Sequence, residues 1–79
     1  MNNQYLPFTL GTFLSASRND TGPIYVSVVE RRTKRATEAY ISTERSKQKI
    51  WDTFTPEARI VDINFLAQAI PSMRILVEE

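Results

Sequence analysis

The chain has 79 residues, 42 % hydrophobic and 24 % charged, which is a length for one domain and a composition close to that of soluble globular proteins. It contains neither Cys nor His and only two Gly. Disulfide scaffolds, Cys/His zinc sites, His- or Cys-dependent nucleophilic catalysis and glycine-rich phosphate loops are thereby excluded. The net charge of +1 gives no global pull toward nucleic acid or membrane.

At the start of the chain, Leu6–Leu14 is interrupted by Pro7, Thr9, Gly11 and Thr12, and Met1–Gln4 has no Lys or Arg. This is not a secretory signal, and no stretch reaches the roughly 18 apolar residues of a membrane span. The Asn19-Asp20-Thr21 sequon stands alone, so the expected setting is cytoplasmic, without membrane association. Leu6, Phe8, Leu10 and Leu14 at even positions predict an edge strand over Tyr5–Leu14, because Pro7 cannot donate to a ladder. Ser15–Pro23 collects Ser, Asn, Asp, Gly and Pro and reads as a loop. Ile24–Glu30, with three Val, Ile and Tyr, predicts a half-buried strand with Ile24, Val26 and Val28 on one face.

Arg31–Arg35 is a charged connection, after which Ala36–Ser42 predicts a strand turning back on the previous one, with Thr37, Ala39 and Ile41 on one face. A rival pattern places Ala36, Tyr40, Thr43, Lys47, Ile50 and Phe54 along one long helix from about Thr33 to Phe54. The β-branched Ile41 and Thr43 and the Ser42-Thr43 capping pair favour strand followed by helix. Thr43–Phe54 then predicts a helix with a basic outer face. Thr55-Pro56-Glu57 reads as a helix start, so a second helix is expected from Pro56 to about Ile70, although Val61-Asp62-Ile63-Asn64-Phe65 also alternates like a strand. Pro71 closes that helix, and Ile75-Leu76-Val77 suits a last strand inserted into the sheet. The expected fold is a single α+β domain over residues 1–79, with an antiparallel sheet of three to four strands packed against two helices. Val26, Val28, Ile50, Phe54, Ile63 and Phe65 form its predicted core.

Charge is unevenly spread. Met1 to Glu30 holds one basic residue against two acidic, Arg31 to Lys49 seven against two, and Ile50 to Glu79 two against five. The middle is basic and the end acidic. Arg31, Arg32, Lys34 and Arg35 at a hairpin tip, Arg45, Lys47 and Lys49 on a helix face, and the amphipathic Trp51 beside them are the candidate partner-binding residues. The bland alternative is a solvated surface with Glu38 and Glu44 pairing locally. Asp52, Glu57 and Asp62, with Asn64, lack the Gly-turned loop of a calcium site and read as solvent-facing carboxylates, so neither a metal nor a cofactor is expected. Without a catalytic inventory the chain reads as a non-enzymatic interaction protein that binds a larger protein as regulator or inhibitor, a profile shared by small phage- and plasmid-encoded proteins. The alternative is a nucleic-acid-binding module using segment 31–49. A second copy of the chain, covering an open sheet edge, is a further candidate partner.

Overall fold

Three Val and an Ile alternating with Tyr and Ser make β1 (Ile24–Glu30) a strand with one apolar face, and in the computed structural model it lies at the centre of a four-stranded sheet. Residues 5–16, 24–41, 45–66 and 69–79 are described. In chain order the elements are α1 (Leu10–Ala16), β1, β2 (Ala36–Ile41), a 3-10 turn Arg45–Lys47 running into α2 (Gln48–Trp51), β3 (Arg59–Leu66) and β4 (Ser72–Glu78). The sheet order is β2-β1-β4-β3.

The sheet is mixed, not purely antiparallel as expected. β2 pairs antiparallel with β1 and β3 antiparallel with β4, but the central pair β1 and β4 is parallel, with Val26 opposite Met73 and Val28 opposite Ile75. These two strands bury Val26, Val28, Met73, Ile75 and Val77, and parallel pairs are stable where both strands are shielded by neighbours. The strand-then-helix reading of the middle segment holds, although the helical part is shorter than Thr43–Phe54 and begins as a 3-10 turn. Of the expected Ser15–Pro23 loop and the Ser42-Thr43 cap, residues 17–23 and 42–44 lie outside the described residues.

Two elements differ from the sequence expectation. The period-two reading of Tyr5–Leu14 fails because Leu10 and Leu14 are also four apart, and as a helical pair both are fully buried. Thr9 starts that helix: its hydroxyl accepts from the Thr12 amide at 3.4 Å, and its carbonyl accepts from the Phe13 amide at 3.0 Å. Gly11 allows α1 to touch the chain at Pro56. Its amide donates to the Pro56 carbonyl at 2.8 Å, and a Cβ there would lie 2.7 Å from Pro56 Cβ. Pro56 in turn does not open a helix. It sits second in a turn closed by the Ala58 amide on the Thr55 carbonyl at 3.1 Å, a favoured site for its fixed φ. The chain then enters β3, because β-branched Ile60, Val61 and Ile63 with Asp62 and Asn64 suit a pleated strand better than a helix.

Helices α1 and α2 lie on one face of the sheet. Leu10, Leu14, Ile50 and Phe54 meet Val26, Val28, Ile41, Ile60, Met73, Ile75 and Val77 there as one buried cluster. Ile63 packs at its margin, whereas Phe65 is 70 % exposed and does not belong to the core expected of it. Phe65 pairs with Met73 in register, beyond the area the helices cover. Ile75→Ala should therefore cost about 2–5 kcal/mol in a urea titration, as for buried aliphatic truncations, and Phe65→Ser should stay within about 0.5 kcal/mol of the parent.

Candidate functional site

A parallel β1–β4 pair places the ends of both strands at the same edge of the molecule. The basic turn 31–35 that follows β1 therefore stands beside the acidic end of β4, and Glu30 and Val77 are register partners. The turn closes through the Glu30 amide on the Arg35 carbonyl and the Lys34 amide on the Glu30 carbonyl, at 2.8 and 2.9 Å. With no Gly or Asn available, Lys34 itself takes the left-handed conformation, φ 63°.

Glu30 faces inward by the alternation of β1 and is only 2 % exposed. Its Oε1 accepts the amides of Arg32 at 2.6 Å and Thr33 at 2.8 Å, and its Oε2 accepts the Glu79 amide at 3.1 Å. The Thr33 amide, with those of Glu79 and Arg32 and the Arg32 charge, outweighs burial and holds the carboxyl at about 2. Glu78, also buried, receives Arg31 Nε at 2.8 Å, Arg59 Nη2 at 3.3 Å and the Tyr5 hydroxyl. The Tyr5 hydrogen bond, with the neighbouring Arg31 and Arg32 charges, lowers its pKa against the opposing effect of burial. Glu79 binds Arg35 through one carboxylate oxygen and accepts the Thr55 amide through the other at 3.2 Å, and its backbone oxygen accepts from Arg32 Nη2 at 2.9 Å. Arg59 also lies over the Tyr5 ring and Arg35 over the Phe54 ring, at 4.4 and 5.2 Å from the centroids.

The eight residues singled out by charge thus have different surroundings. Arg31, Arg32 and Arg35 are engaged by Glu78, Glu30 and Glu79, whereas Glu44, one of the local partners considered from sequence, lies outside the described residues. Lys34 is exposed at the turn. Arg45 opens the 3-10 turn and Lys49 is exposed on α2. Lys47 does not lie on a solvated basic face: it is 2 % exposed and its ammonium donates to the Leu14 carbonyl at 2.7 Å, satisfying a carbonyl in the last turn of α1. Trp51 is half-buried against the core and flanks a shallow groove with Thr9, Thr12, Pro56 and Glu57. Among the described residues no group of Asp and Glu is arranged to hold a metal ion, and no helix is long and apolar enough to cross a membrane.

Charge patterning did not point to a second surface at the other end of the sheet. Phe65, Leu66, Ile70 and Tyr40 are large apolar side chains left exposed there. Leu66 and Ile70 join Tyr25, Tyr40, Ala69 and Ser72 around a concavity on the sheet face away from the helices. Phe65 lies on the opposite face of β3 from Leu66, as consecutive strand residues must. Along the outer edge of β3, the N-terminal segment covers only the beginning: the Leu6 amide donates to the Ile60 carbonyl at 2.8 Å and the Leu10 amide to the Ala58 carbonyl at 2.9 Å. Among the described residues nothing pairs with the outer edge from 61 to 66. The sequence signal for this surface was the Val61–Phe65 alternation.

No protein-family model, no curated protein and no solved structure matches the chain.

The Glu30 network has a pH signature. A carboxylate held at about 2 when folded and at its ordinary 4.5 when unfolded contributes stability that is full above 4.5 and lost as the pH falls toward 2. The parent protein should lose melting temperature across that window, with Glu78 contributing in the same direction. Glu30→Gln should melt lower at neutral pH and show a shallower decline between pH 4.5 and 2 in thermal scans followed by circular dichroism.

Proposed function

We propose that the protein is a non-enzymatic binding module that docks on a larger protein and regulates or inhibits it, using the free edge of β3 as its contact strand. The observation carrying this reading is the neighbouring pair Phe65 and Leu66, both exposed and on opposite faces of an edge strand whose outer side from 61 to 66 has no partner among the described residues. A partner lying flat on either face would cover one of them. A partner strand extending the sheet covers both while supplying main-chain hydrogen bonds. The nucleic-acid alternative receives less support, since Arg31, Arg32, Arg35 and Lys47 already have acceptors within the chain and little concentrated positive charge is left for a phosphate backbone.

The test is affinity capture from a lysate treated with nuclease, using three forms of the protein. The parent should retain a protein partner, Phe65→Ser/Leu66→Ser should weaken its binding at least about tenfold, and Lys34→Ser/Lys49→Ser should bind as the parent does. Capture that disappears with nuclease and with the lysine changes would establish the nucleic-acid reading instead.

A further inference from the structure

One face of the sheet carries the helices, and among the described residues no helix or strand lies over the other, where Tyr5, Arg31 and Arg59 gather on Glu78 at one end. Register places four side chains in a row across that open face: Glu38 on β2, Ser27 on β1, Arg74 on β4 and Asn64 on β3. Glu38 and Arg74 are exposed and stand one strand to either side of Ser27. The Tyr25 hydroxyl donates to Glu38, and Arg74 takes part in none of the ion pairs among the described residues. On β2, β1 and β4 this charged row is flanked by Ala36, Val29 and Leu76 toward one end and by Tyr40, Tyr25 and Ser72 toward the other.

We propose that this face binds a second copy of the chain, about a two-fold axis running along β1. Such a rotation leaves each residue at its height along the strand and exchanges left with right. β4 of the partner copy then lies over β2, and its β2 over β4. Glu38 of each copy meets Arg74 of the other, twice per dimer, Ala36 meets Leu76, and Val29 and Tyr25 each meet their own counterparts. The charge pattern selects this symmetry. A two-fold axis along the row would stack Glu38 on Glu38 and Arg74 on Arg74, and an axis above β4 would again oppose Arg74 to itself. Like charges brought together in an interface are strongly unfavourable, so only the axis along β1 turns the pair into an attraction.

Sheets packed face to face lie about 10 Å apart, a span that extended Arg and Glu side chains bridge together. The overlap is limited to β2, β1 and β4, so β3 overhangs on each side. Three strands of six or seven residues present a footprint of roughly 14 by 20 Å. That is small for a stable complex, and the dimer should dissociate in the micromolar range. The inference is independent of the docking role proposed for β3, whose edge the dimer leaves free.

Sedimentation equilibrium over roughly 1 µM to 1 mM tests it, with circular dichroism confirming the fold of each variant. The parent should be a monomer–dimer equilibrium. Glu38→Arg alone and Arg74→Glu alone should each weaken self-association at least about a hundredfold, because each opposes like charges at both contacts. An equimolar mixture of the two should form a heterodimer, since every contact then pairs Arg on one chain with Glu on the other. The double variant Glu38→Arg/Arg74→Glu should dimerise as the parent does. A parent that stays monomeric throughout, single variants that self-associate like the parent, or a mixture that fails to pair would each overturn the proposal.

Discussion

The parallel pairing of β1 with β4 is the constraint on which most of this structure depends. It aligns Val26 and Val28 with Met73 and Ile75 to make the apolar floor on which both helices rest. It also brings the carboxylates of Glu78 and Glu79 against a turn holding three arginines. Were these strands antiparallel, the same acidic end would lie at the far edge of the sheet, and Glu30 would lose the Glu79 amide that helps to keep it ionised.

From this follows a division of labour among charges. Buried carboxylates hold the turn, and the ions facing them are largely structural, serving the end of the sheet much as capping residues serve a helix. Lys47 does the same for α1, spanning from one helical segment to the other. Among the described residues, the outer edge of β3 from 61 to 66 and the open face, where Glu38 and Arg74 stand, take no part in this network. A net charge of +1 conceals this arrangement, in which Glu30, Glu78 and Glu79 face Arg31, Arg32, Arg35 and Arg59 at one end of the sheet.

Local pattern revealed the elements whose sequence has one reading. β1, β2 and β4 have β-branched or aromatic residues in alternation, and Val26, Val28, Ile50 and Phe54 are buried as their periodicity indicates. Ambiguity arose where two periods coincide. Leu10 and Leu14 satisfy both two and four, and the deciding signal, Thr9 as a cap, is weaker than the Pro7 that suggested an edge strand. Thr55-Pro56-Glu57 has the residues of a helix start and of a turn alike, and the choice lies in Gly11, which packs against Pro56 from 45 positions away in the chain. The candidate site was less legible still. Proximity of 31–35 to 78–79 is a product of strand order, which composition does not encode, and Phe65 looks like core until the extent of the helical layer is known.

The place of β4 also bears on how the molecule is made. β1 and β2 form a hairpin from neighbouring segments and can associate as soon as both exist, but the strand that belongs beside β1 is the last element in chain order. Contacts of long sequence separation bear the largest loop-closure cost, so insertion of β4 between β1 and β3 should govern the folding rate. During synthesis the hairpin would wait with an apolar edge and an unneutralised turn until that strand emerged, a period in which the nascent chain is most exposed to aggregation and to chaperones.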